Sequence, residues 1–598
     1  MSKTKKIIFI ASAAGVLLAA ILIFWSAKIS PTRIVFVNYQ ITTLGQISKS
    51  NNSRFIKIRE VGLDELNTLG KYDMVMINAM GLRISEEQRQ QIEEASLSTA
   101  ILSTAVTNPA NYIVSVDSLT ADTLTRYLNN GSRKNYRSML NYIRRYVDGK
   151  ICFVEEPEPV VPASHELFYH SDPNNPDEEL GFNTLKDYET FLKNNGLYKN
   201  ESPRIVLSGL MGEPTELVAA LEKSGNQVYP IRDANTFITN GQADSVLPAA
   251  WINMAHGRMG DGVVAYLTHQ NIPLFTTVYV PQLTEKWEED KMGMSGGFLS
   301  QSVVTPEIDG AIRPYALFAH RINKEGLQEM YAVPERLADF VETVNRYIAL
   351  KTTANADKHI VIFYYKGPGQ NALTASGLEV APSLYAVLLR LREAGYKVTG
   401  LPNSADALAE MIQKQGAVLG TYAEGAFDEF MKNGNPEFIT KKQYEEWILK
   451  TLRPALYDDV KQNFGEFPGS YMSTSDGKLA VSRIQFGNVV LMPQPMAGLG
   501  DNDFKIVHGT DVAPPHPYIA AYLWARYSFE ADAFIHFGTH GSLEYTPRRQ
   551  VALCSNDWPD RLIGTVPHFY LYTIGNVGES LIAKRRSYAT IISYLTPP

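Results

Sequence analysis

Short runs of aliphatic and β-branched residues recur along this chain, separated by longer stretches in which apolar positions return every three or four residues. Residues 33–37, 73–77, 150–154, 204–207, 359–363 and 488–492 are apolar at nearly consecutive positions, a pattern that predicts strands covered on both faces. Amphipathic stretches at 85–95, 214–224 and 382–394 predict helices. The last two carry proline in the first turn and stop beside Gly225 and Gly395. Strand alternating with helix in this way predicts an α/β protein built of several doubly wound parallel-sheet units.

The most apolar segment comes first. Lys3, Lys5 and Lys6 precede an uncharged run over residues 7–25, about 28 Å long as a helix and so close to the hydrocarbon thickness of a bilayer. Basic residues ahead of such a run favour a cytoplasmic amino end, which predicts an uncleaved transmembrane anchor with the bulk of the chain on the extracytoplasmic side. A cleaved signal peptide fits less well, because the run is longer than a usual signal core and no Ala-x-Ala site follows it.

Domain boundaries follow composition. A cytoplasmic tip and anchor over 1–29 leads to a first α/β domain over 30–200, closed by a Pro- and Asp-rich stretch at 155–179. A second α/β domain spans 201–350. A third covers 351–598, with a charged helical insertion at about 405–452.

At 598 residues the chain is too long for one core, and with 45% hydrophobic and 20% charged residues it has ordinary globular composition. A net charge of −7 offers no broad basic surface, which argues against nucleic acid as a partner. Cys152 and Cys554 are too few for a disulfide framework or a cysteine metal cluster.

Candidate chemistry concentrates near the carboxyl end. In Phe-Ile-His-Phe-Gly-Thr-His-Gly-Ser-Leu-Glu at 534–544, His536, His540 and Glu544 gather around a turn broken by Gly538 and Gly541. Imidazole and carboxylate together accept borderline divalent ions, and the same groups carry protons near neutrality. The His-x3-His-x3-Glu spacing differs from the helical protease signature, and the glycines place it on a strand-loop-helix junction. A histidine in a strand is as often a hydrogen-bonded packing residue as a ligand. The glycines at 259–262 and 499–501 form neither Gly-x4-Gly-Lys-Ser/Thr nor Gly-x-Gly-x-x-Gly, so nucleotide binding is unsupported.

Several segments resemble the large subunits of tetrapyrrole metal chelatases, CobN of cobaltochelatase and the H subunit of magnesium chelatase. They are Pro-Pro-His-Pro-Tyr at 514–518, Ala-Tyr-Leu-Trp at 521–524, the histidine stretch at 536–544, Trp-Pro-Asp-Arg-Leu-Ile-Gly at 558–564 and Ala-Lys-Arg-Arg at 583–586, leading to 594–598. Upstream matches lie at 167–170, 304–310, 376–380 and 463–469. The resemblance implies a tetrapyrrole substrate, a divalent metal and ATP used only through AAA+ partner subunits.

The expected export departs from the cytoplasmic members. It points instead to the HmuS-like, membrane-attached branch of haem-uptake loci, associated with removing iron from haem and leaving porphyrin intact, with haem-uptake or transport proteins and the inner membrane as partners. Insertion of cobalt is the alternative, and a non-catalytic tetrapyrrole carrier a third reading. Relatives continue beyond the motif in which residue 598 falls, so a further carboxyl-terminal portion is expected.

A macrocycle also needs apolar walls and cations for its carboxylates. Tyr545, Trp558, Met492 and Met496 are candidate walls, and Arg548, Arg549, Arg561 and the run Lys584, Arg585, Arg586 candidate carboxylate partners. Aromatic and methionine residues are more often core, and basic runs more often solvated surface. His170, His256 and His516 are candidate haem-binding histidines; His508 flanks the same proline-rich turn as His516.

Overall fold

The computed structural model describes residues 3–209, 214–365, 374–375, 378–418, 425–495, 512–538, 541–547, 549–572 and 577–593, with side chains from residue 13 onward except at 177, 374–375 and 572. It divides into two compact units, the first comprising 1–188 and 320–331 and the second 189–319 and 332–598.

The first unit begins with helix α1 (Lys3–Phe24). Among the described residues no helix is long and apolar enough to cross a membrane, so the anchor expected at 7–25 does not stand as a structural finding. A parallel sheet follows, in the order β2-β1-β3-β4: β1 (Thr32–Val37), β2 (Ile56–Glu60), β3 (Met74–Asn78) and β4 (Ala100–Thr104). Helix α2 (Glu86–Ser96) starts where the pattern predicts. Ser85 accepts from the Gln88 amide while Gln88 reaches back to the Ser85 amide, a reciprocal cap worth about 1 kcal/mol.

The strand expected at 150–154 does not form. Phe153 adopts a positive φ of 55° and stacks on Phe55, while the Cys152 carbonyl accepts from the Arg144 guanidinium at 2.9 Å. Apolarity there serves packing of an irregular segment, which hydropathy alone does not distinguish from a strand. A hairpin of β5 (Phe168–Asp172) and β6 (Asn175–Phe182) completes this part of the unit.

The second unit opens with β7 (Arg204–Ser208), α3 (Pro214–Lys223), β8 (Gln227–Ile231), β9 (Ala250–Asn253), β10 (Leu274–Leu283) and β11 (Ile312–Ile322), ordered β8-β7-β9-β10-β11. The hairpin residues 320–331 belong to the first unit, and α4 (Pro334–Thr352) returns to the second.

A six-stranded sheet then carries the site. It contains β12 (Ile360–Tyr364), β13 (Ile484–Phe486), β14 (Val489–Pro493), β15 (Ala533–Gly538), β16 (His568–Tyr572) and β17 (Thr590–Ile592), ordered β13-β14-β12-β15-β16-β17. All neighbours are parallel except β13 with β14. The central strand β12 is apolar throughout because both faces are covered: Ile360, Ile362 and Tyr364 pack with Leu384 and Leu388 of α5 (Val380–Glu393), while Val361 and Phe363 pack with α6 (His516–Tyr527). The charged stretch expected as a helical insertion contains helices at Ala405–Gln415, Ala426–Asn433 and Lys441–Thr451, followed by Pro454–Phe464.

Candidate functional site

Strand β15 alternates its faces, so Phe534 and His536 turn toward α6 while Ile535 and Phe537 turn toward the other layer. Register places Phe363, His536 and Tyr570 side by side on β12, β15 and β16. The three rings stack, with His536 5.1 Å from Phe363 and 5.2 Å from Tyr570 between centroids. On α6, Tyr518 and Tyr522 are one turn apart and share the face that meets this row.

The polar atoms of this buried row are placed against one another. The Tyr522 hydroxyl lies 2.9 Å from His536 Nε2, His536 Nδ1 lies 2.5 Å from His568 Nε2, and His568 Nδ1 lies 2.6 Å from the Ser587 carbonyl. Tyr522 is also hydrogen bonded to Tyr518, whose hydroxyl accepts from Ser542 Oγ at 3.1 Å. Burial pushes the His536 pKa well down, with the neighbouring His568 adding to it, and burial lowers that of His568 to about 4. Both imidazoles are therefore neutral near pH 7. With both ring nitrogens used in this way, His536 presents none to an ion in this arrangement.

Glu544 lies beneath the same row. Its Oε1 accepts from the Gly541 amide at 2.9 Å and from the Tyr570 hydroxyl at 3.4 Å. A Cβ on Gly541 would come within 2.5 Å of Gln494 Nε2 and of the Tyr570 hydroxyl, so a larger residue there would have to displace these side-chain ends. His540 lies outside the described residues, as do Arg548, Met496 and His508. Among the described residues no group of three or more His, Cys, Asp or Glu is placed to hold a metal ion.

At the outer end of the tyrosine-histidine chain is a small apolar cleft of about 50 Å³, lined by Met472, Met492, Pro493, Pro495, Pro517 and Tyr518 among others. Met492 lies on its wall. Tyr518 belongs to both cleft and chain, and Pro495, whose carbonyl accepts from Ser542 Oγ at 3.2 Å, also lines the cleft.

The other predicted residues lie elsewhere. His516 is sealed between the Tyr444 hydroxyl, 3.1 Å from Nδ1, and the Gly465 carbonyl, 3.0 Å from Nε2. His170, on β5 of the first unit, faces the Ser171 carbonyl at 2.7 Å, and half-buried His256 meets Ser302 Oγ at 3.1 Å. Trp558, 1% exposed, is a core residue at the start of α7 (Trp558–Ile563) rather than a cleft wall, and half-buried Tyr545 does not line the cleft.

The guanidinium groups expected to hold carboxylates of a ligand are occupied internally. Arg549 bonds Asp557 at 2.7 Å, the Cys554 sulfur, and the carbonyls of Trp287 and Asp290. Arg561 bonds Asp560, Glu335 and Asp339, and Arg585, on α8 (Val577–Arg586), pairs with Glu307 at 2.9 Å. Arg586 donates to the Thr546 carbonyl.

Sequence reasoning missed Tyr518, Tyr522, His568 and Tyr570. The spacing of Tyr518 and Tyr522 and the shared strand face of His568 and Tyr570 were visible signals. Their meeting with His536 depends on strand pairing that spacing does not reveal.

Comparison with known proteins adds the following. The sequence model of the CobN/Magnesium Chelatase family matches residues 125–598. The magnesium-chelatase H subunit of Chlorobaculum parvum is 29% identical over 491 residues, covering 76% of this chain and 36% of that protein. The aerobic cobaltochelatase CobN subunit of Pseudomonas aeruginosa is 28% identical over 337 residues, 55% of this chain and 26% of that one. The chain thus spans less than half the length of these curated relatives. Among solved structures, the catalytic subunit of cobaltochelatase from Mycobacterium tuberculosis shares the fold, with a TM-score of 0.68 at 22% identity, over 95% of this chain and 48% of that chain.

Proposed function

The chain belongs to the CobN/magnesium chelatase family, and from that premise we propose that it is the large, substrate-binding chain of a tetrapyrrole metal chelatase, holding the flat macrocycle in the cleft bounded by Met492, Pro493, Pro495 and Tyr518. One observation carries this reading: the apolar cleft ends on a tyrosine that is hydrogen bonded into a buried, neutral histidine pair. Exchanging a divalent ion at a macrocycle moves two protons for each ion, so a site needs an apolar slot with a proton-handling group at its wall. The metal, magnesium, cobalt or iron, is substrate here, and ATP hydrolysis belongs to partner subunits.

A second reading, a membrane-anchored, HmuS-like chain that takes iron out of haem, is favoured by α1. Val16, Leu17, Leu18, Ile21, Leu22, Ile23 and Phe24 are exposed there, on a helix that opens with Lys3, Lys5 and Lys6. That reading includes an extracytoplasmic site and haem-delivering partners.

The two are separated by incubating the full-length protein anaerobically with haem, and separately with metal-free porphyrin plus Mg²⁺, Co²⁺ or Fe²⁺, with and without ATP-hydrolysing chelatase subunits. Absorbance should report insertion dependent on the partner subunits. Release of metal-free porphyrin from haem without ATP would establish the second reading, and tight binding without turnover in either direction would make the chain a carrier.

A further inference from the structure

We infer that Tyr518, Tyr522, His536 and His568 form a proton relay between the cleft and the buried histidine pair, with Tyr518 as its outer group. This deepens the proposed function and rests on it for the identity of the proton donor.

The direction follows from hydrogen-bond logic. The Ser587 carbonyl can only accept, so His568 carries its proton on Nδ1. Neutral His568 must then accept at Nε2, which requires His536 to donate from Nδ1 and to accept at Nε2. Tyr522 therefore donates to His536, which leaves its oxygen to accept from Tyr518. One carbonyl thus orients four side chains, and every O–H and N–H in the row points inward, away from the cleft.

Such a row accepts a proton from the cleft without turning any member over. A pyrrole N–H in the cleft breaks as a proton reaches the Tyr518 oxygen. The Tyr518 proton passes to the Tyr522 oxygen, the Tyr522 proton to His536 Nε2, and the His536 Nδ1 proton to His568 Nε2. One N–H bond is lost on the substrate, one is gained on His568, and no electron changes hands. The transferred state is itself the reversed row, with His568 still donating from Nδ1 to the Ser587 carbonyl, and the same transfers run backward return the proton to the cleft. The resting row takes up one of the two protons that metal insertion releases, and the protonated row can supply one to metal removal. Groups facing the row from neighbouring elements are Tyr570 of β16, Glu544 of the loop and Arg313 of β11, whose charge disfavours lasting protonation of His568. His568 is thus a transient acceptor that hands its proton back along the row.

Two measurements test this. Histidine-selective ¹⁵N NMR of the full-length protein should show both His536 and His568 protonated on Nδ1, and a proton on Nε2 of His536 would overturn the inference whatever the cleft binds. In the complete enzyme with its ATP-hydrolysing subunits, Tyr518→Phe and Tyr522→Phe should each slow metal insertion about 10²-fold. Porphyrin affinity, read by fluorescence quenching, should stay unchanged, and the solvent deuterium isotope effect of the wild type should be lost. Unchanged rates with binding intact would sink the relay, whereas failure of the wild type to bind porphyrin would sink the proposed function and leave the NMR result to judge the relay.

Discussion

Two buried polar networks lie in the second unit, and they are built from opposite materials. Around α7, Arg336 and Arg561 close on Asp560, which also accepts from the Tyr588 hydroxyl, and Arg549 closes on Asp557, all within the protein interior. Around β15, the row from Tyr518 to Ser587 holds no formal charge. Full charges in a low dielectric fix geometry, because removing either partner strands the other. Neutral hydroxyls and imidazoles can exchange a proton with little rearrangement. The first network is scaffold, tying α4 to α7, and the second can move a proton.

The largest test of that contrast is to break the charged side. Asp560→Asn leaves Arg336 and Arg561 without their shared carboxylate and should lower stability by about 3–5 kcal/mol in urea unfolding. A loss below about 1 kcal/mol would remove the distinction between the networks.

Acid should separate them next. His568, lowered to about 4 from 6.5, binds fewer protons folded than unfolded, so its contribution is complete above pH 6.5 and is lost as pH falls toward 4, by about 3 kcal/mol in all. Arg336 and Arg561 hold the Asp560 carboxyl far below its usual range, so its contribution persists through that window and fails only in stronger acid. Stability measured from pH 7 to 4 should therefore fall in the wild type and fall less in His568→Phe, the remaining slope coming from His536 and His516, whose pKa values burial also lowers.

A smaller effect tests the loop that supports the row. Gly541→Ala should cost about 1–3 kcal/mol, because its methyl would overlap Gln494 and Tyr570, and thermal unfolding would show it. Smallest of all, Arg585→Ala should change stability by less than about 1 kcal/mol, since its pair with Glu307 is only partly buried.

Much of the scaffold was legible because local rules sufficed. The run at 359–363 is β12, buried on both sides, and Ser85 with Gln88 caps α2 as their spacing implied. The run at 150–154 misled because apolar content carries no information on whether backbone partners exist. At the candidate site, His536 of the 534–544 stretch lies in the buried row. Its partner His568 is 32 residues away and meets it only through the pairing of β15 with β16. The arginines were misread for a related reason: whether a guanidinium faces a ligand or an internal carboxylate is decided by tertiary packing, as at Arg549 and Arg561.

Tyr518 and Tyr522 ride on one rigid helix that begins at the proline-flanked His516. A slip of α6 by a single residue, about 1.5 Å with a turn of about 100°, would withdraw both hydroxyls together. Whatever grips the start of that helix therefore holds a single-throw switch on the whole row, and continuity along it is lost or restored in one motion.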